Sequence, residues 1–150
     1  MKESLRKERN ERNIVLFLLL FFIFGLILNH KINVFLKEWI REPLDPIVFP
    51  NRKKNKYANP SGHAQFYSFL FFFFFFFLRE GKEERRGIRY IRYLRFFLLF
   101  LTISLYIRTI YVCLTKGYHT PKQLLFGTFM GFIVCFFLYT CFQFIVGKIE

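Results

Sequence analysis

Two short segments carry the residues whose types and spacing could do chemistry. The first is Asn59-Pro60-Ser61-Gly62-His63-Ala64-Gln65, immediately ahead of an apolar run. If that run is a helix, Ser61 and Gly62 stand at its start, where backbone N–H groups lack intrahelical acceptors and the helix dipole favours an anion. His63 then lies in the first turn, with an imidazole that can hold or release a proton near neutral pH. The second segment is Lys116-Gly117-Tyr118-His119-Thr120-Pro121-Lys122-Gln123, again just before an apolar run, with Pro121 suited to a first helical turn. Two histidines on one aqueous pocket can divide covalent phosphoryl transfer, one attacking phosphorus while the other gives a proton to the departing oxygen. Gln123, four residues after His119, shares its helical face and can orient that ring through its amide. Ser-Gly-His by itself reads equally well as an N-cap serine followed by an interfacial histidine. The presence of both segments is what favours the chemistry.

The elements that must position these residues are apolar to an unusual degree. Of 150 residues 54% are hydrophobic and 25 are Phe, more than a water-soluble core of this size can use, so lipid is the expected solvent. The apolar residues cluster in four runs, at 14–28, 64–78, 96–114 and 124–146. At roughly 20 residues per crossing, these predict an all-α membrane protein, a bundle of about four transmembrane helices in a single domain over 1–150. The spans are expected at about 13–30, 63–79, 95–115 and 122–146, after a basic segment at 1–12. An amphipathic stretch at 32–40 is expected to prolong the first helix to Arg41 or beyond. No small-residue cleavage site follows Leu28, so the first run reads as an anchor rather than a removable leader. The run Phe71 to Phe77 satisfies hydropathy without specifying packing and is expected to face lipid. Gly127 and Gly131 permit close helix approach, most simply within the bundle. Arg108, the one charge inside a run, faces either the bundle interior or the interface. Cys113, Cys135 and Cys141 have no metal-type spacing, and no metal or other cofactor is implied.

The net charge of +13 would raise nucleic-acid binding in a soluble protein. Here the basic residues flank the apolar runs, where they meet anionic headgroups and set orientation, so a membrane and no nucleic acid is the expected partner. With four spans, the termini and middle loop carry thirteen Lys and Arg against nine on the opposite side. That balance predicts cytoplasmic termini, with the loops bearing His63 and His119 together on the other side.

Pro60-Ser61-Gly62-His63, followed by Tyr118-His119-Thr120 and Gln123, resembles the second and third motifs of the type 2 phosphatidic acid phosphatase superfamily. The Gln four residues after the histidine is similar to the dolichyl-diphosphatase-like branch. The resemblance runs from about Asn33 to Gly131. It implies a hydrolase acting on a lipid phosphate or isoprenoid diphosphate through a phosphohistidine, on a shortened version of a six-helix core. His119 would be the nucleophile, His63 the acid for the leaving group, and Gln123 the orienting residue. Lys37, Ser61, Gly62 and Lys116 would bind the substrate phosphate. The family's first motif places Arg-Pro after a Lys and six arbitrary residues. Lys37 fits, but Leu44 and Asp45 stand at the Arg and Pro positions. The third motif has an Arg six residues before the nucleophile, where this chain has Cys113. Arg offers phosphate a fixed fork of donors, so two such losses favour an alternative: a catalytically impaired relative that binds lipid phosphates or membrane partners.

Overall fold

In lipid, backbone polar groups must be satisfied within the chain, which leaves helices or a closed barrel as spanning structures. The chain takes the first solution. Its computed structural model describes residues 2–42, 57–77 and 88–146. Four helices run in the order α1 (Lys2–Ile40), α2 (Gly62–Phe77), α3 (Ile88–Thr115) and α4 (Pro121–Val146). Three stretches are long and apolar enough to cross a membrane, Leu16–Ile40, Phe96–Thr115 and Pro121–Ile145, while α2 is a shorter apolar helix. The protein is therefore an all-helical membrane bundle.

The short helix is the central one. It packs against all three others, most extensively α4. Its buried Phe69 and Phe73 meet Val134, Cys135, Leu138 and Phe142 of α4, with Phe21, Phe22 and Leu26 of α1 packed on the same cluster. The expectation that the Phe run faces lipid is thus corrected for most of its length. Phe73 is in the core and Phe72, Phe74 and Phe76 pack against it, whereas Phe75 points outward. Hydropathy cannot separate the two settings, because lipid and core are equally apolar.

Small residues let α4 come close to α2. A Cβ on Gly127 would lie 2.5 Å from the Ser61 carbonyl oxygen, and one on Gly131 would strike the Gln65 carbonyl oxygen and Phe69 N. The GxxxG pattern therefore serves contact within the chain. Ser68 Oγ adds a bond across the same seam, donating to the Thr128 carbonyl at 2.7 Å. By contrast, α3 leaves most of one side open, with Phe96, Phe97, Phe100, Ile107 and Tyr111 all exposed. Arg108 is on this outer side, which settles its direction: it faces away from the bundle. A long guanidinium there can snorkel toward the headgroups.

Helix α1 ends at Ile40, one residue short of the expected reach. Arg41 takes a left-handed conformation, φ 53°, while its N–H donates to the Lys37 carbonyl at 3.0 Å. Such a residue ends a helix and turns the chain aside. Its Nε donates to the Glu38 carbonyl at 3.0 Å, and the next residue, Glu42, accepts the Ala58 N–H at 2.9 Å. The turn thereby delivers Glu42 toward the start of α2.

Candidate active site

Each segment with chemistry sits at a capped helix terminus. Ser61 is the N-cap of α2: its carbonyl accepts the Gln65 N–H at 3.0 Å and its hydroxyl accepts the Ala64 N–H at 3.4 Å. Its own N–H donates to the Gln123 carbonyl at 3.2 Å, tying the start of α2 to the start of α4. This places His63 in the first turn, exposed at the positive end of the helix.

The α3–α4 connection is as tightly specified. Gly117, φ 67°, follows the end of α3, and its N–H donates to the Leu114 carbonyl at 3.2 Å. The Tyr118 N–H reaches back to the Cys113 carbonyl at 2.8 Å, completing a Schellman closure that satisfies the last carbonyls of the helix. Thr120 then caps α4. Its hydroxyl accepts the Gln123 N–H at 3.4 Å, while Gln123 Oε1 accepts the Thr120 N–H at 3.1 Å, the reciprocal arrangement of a capping box. His119 is held between these two devices.

The two termini and the end of α1 enclose a cavity of about 880 Å³. His63 and His119 both line it, as do Lys37 of α1, Gly62 of α2, Cys113 of α3 and Tyr118 of the α3–α4 connection. Burial lowers the pKa of His119 below the ordinary imidazole value; its hydrogen bond with Gln123 opposes this, the positive Lys37 and His63 reinforce it, and Glu42 opposes it. The ring is therefore biased toward the neutral form, with two basic side chains close enough to act on it.

Gln123 stands behind that ring. Its Oε1 lies 3.2 Å from His119 Nδ1, and its Nε2 donates to Glu42 Oε1 at 2.6 Å. On the α1–α2 wall, three buried amides satisfy one another. Asn33 Nδ2 donates to Gln65 Oε1 at 2.8 Å, and Gln65 Nε2 donates to the carbonyl and to Oδ1 of Asn29, each at 2.9 Å. Asn29 and Asn33 also border the cavity.

Of the residues that sequence singles out, Lys37, Gly62, His63 and His119 come together on this cavity, with Gln123 in contact with His119. Ser61 is not among the cavity residues: it is wholly buried, its N–H donates to the Gln123 carbonyl and its hydroxyl accepts the Ala64 N–H. Lys116 is exposed and likewise is not among the cavity residues. Leu44 lies outside the described residues. Glu42, Asn29, Asn33 and Gln65 escaped sequence reasoning. The i, i+4 amides inside an apolar helix were a usable signal, since a buried amide there needs a partner. So was Thr120-Pro121-Lys122-Gln123, which has capping-box spacing. Nothing local pointed to Glu42, whose position depends on the turn at Arg41.

A membrane-embedded helical bundle with a cavity at one end lined by His30, His63, His119 and Lys37 defines the class. The family model of the PAP2 superfamily matches residues 14–146, and the chain belongs to that family, whose members generally hydrolyse phosphate esters. No curated protein and no solved structure matches the chain.

Proposed function

We propose that the protein is a membrane phosphatase acting on a lipid phosphate or an isoprenoid diphosphate, in the manner of the dolichyl-diphosphatase-like branch. The observation that carries this reading is the shared cavity of His63, His119 and Lys37. His119 attacks phosphorus with an imidazole lone pair, the bond from phosphorus to the leaving oxygen breaks, and the His63 imidazolium gives that oxygen its proton. The phosphohistidine so formed is attacked by water, whose proton passes to His63 as the phosphorus–nitrogen bond breaks. Lys37 and the Gly62 backbone hold the phosphoryl oxygens, where charge develops in the transition state. The charge balance of the loops supports cytoplasmic termini and a cavity opening on the opposite side.

One observation favours a second reading. Cys113 lines the cavity where the family has a phosphate-binding Arg, so the protein could retain lipid phosphate binding with little turnover. The test is phosphate release from phosphatidate and from an isoprenyl diphosphate by the purified protein and by His119→Ala. Release that collapses in the variant supports the enzyme, and release unaffected by it refutes the assigned nucleophile. Binding of both lipids without release supports the second reading.

A further inference from the structure

The acceptor and donor ends of the Gln123 amide are each assigned by chemistry. The Thr120 N–H can only donate, so the atom 3.1 Å away is the amide oxygen. A Glu42 carboxylate can only accept, so the atom 2.6 Å from it is the amide nitrogen. The amide therefore has one orientation that satisfies both neighbours. Its oxygen is the atom that faces His119 Nδ1 at 3.2 Å, and an oxygen of this kind accepts. Nδ1 must then carry a proton, which leaves Nε2 with the lone pair in the neutral ring.

We propose that Glu42 is a positioning residue which, through the Gln123 amide, holds His119 in the Nδ1–H tautomer and so leaves Nε2 as the attacking nitrogen. The inference rests on the proposed role of His119 for its catalytic meaning, but the tautomer itself is a property of the resting protein. Three features converge on it. Arg41 is held in a left-handed turn, a conformation uncommon for a residue other than glycine, and that turn brings Glu42 round. The Glu42 carbonyl is anchored separately by Ala58 N–H, which leaves the side chain as the part directed to Gln123. Gln123 is itself buried and fixed by the cap of α4. An amide placed between carboxylate and imidazole transmits orientation without passing a proton. The capping box alone would hold the amide oxygen against Thr120, yet it gives the amide nitrogen no acceptor; Glu42 supplies one and opposes a flip.

The test uses full-length protein with nitrogen-15 in its histidine rings, in lipid nanodiscs. Only His30, His63 and His119 are present, so His30→Gln and His63→Gln assign the signals. Above its titration midpoint, wild-type His119 is expected as the Nδ1–H tautomer. In Glu42→Ala the Nε2–H form appears and kcat falls about tenfold with KM changed less than twofold, the low end of what groups behind working imidazoles contribute. Glu42→Gln keeps an acceptor and restores the wild-type tautomer. If Glu42→Ala does not fold, the exchange Glu42→Gln with Gln123→Glu places a carboxylate directly on Nδ1 and is expected to raise the His119 midpoint by about one pH unit. An unaltered tautomer in Glu42→Ala, or no upward shift in the exchange, overturns the proposal. The expected tautomer changes in a protein that releases no phosphate from any lipid would uphold Glu42 and refute the hydrolase reading instead.

Discussion

Gly127 lies directly against the carbonyl of Ser61, the residue that starts the helix carrying His63. The obstacle to a larger residue is backbone, held by the Ser61-to-Gln65 bond, and cannot rotate away. Gly127→Ala is expected to cost about 1–3 kcal/mol as overpacking and to lower phosphate release by displacing the start of α2. Gly25→Ala is the contrast. Its Cβ would meet side-chain ends, Phe69 Cζ at 2.7 Å and Leu138 Cδ1 at 2.9 Å, within the apolar core. It should lower the unfolding temperature while leaving release per folded molecule intact. Thermal unfolding and phosphate assays in the same detergent separate the two.

Cys113 borders the cavity and its carbonyl closes the turn before His119, so a longer side chain there has room to enter the cavity without altering the backbone. Cys113→Arg is expected to raise turnover about tenfold or more, the effect of about 1.5–3 kcal/mol from a charged hydrogen bond made in the transition state. Steady-state release of phosphate measures it. No gain would mean that Lys37 already meets the need or that the family's Arg position is elsewhere.

The lowered pKa of His119 has a sign that can be followed. A nucleophilic imidazole must be neutral, so the acidic limb of the rate profile should have its midpoint below the ordinary histidine value of about 6.5. Activity then persists to lower pH than an unperturbed ring would allow. Lys37→Met removes a positive charge that repels the proton, so the midpoint moves upward. The pH dependence of kcat/KM, with a nitrogen-15 titration of His119 beside it, checks both directions.

The clustering of apolar residues was enough to anticipate four helices, and the structure brings His63 and His119, at the starts of α2 and α4, to one cavity. What resisted sequence reasoning was the use made of individual polar atoms. Ser61 reads as a phosphate ligand from its place before a helix, whereas the structure shows it wholly buried, with its hydroxyl oxygen accepting the Ala64 N–H as the cap of that helix. Lys116 lies near His119 along the chain, yet the turn at Gly117 leaves it exposed and away from the cavity. Phe73 differs from Phe75 only in angle about α2, and with lipid outside, no polarity pattern marks which is inside. Glu42 is 81 positions from Gln123, and only the left-handed turn at Arg41 makes them neighbours.

The buried amides of Asn29, Asn33 and Gln65 have a mechanical consequence. Aromatic surfaces slide over one another with little penalty, and the seam between α1 and α2 is rich in them. Hydrogen bonds at fixed spacing do not slide. Shifting α1 along α2 by one turn would unmake all three hydrogen bonds together. The trio thus works as a detent that sets how far Lys37 stands from His63, and so fixes the width of the cavity from its own wall.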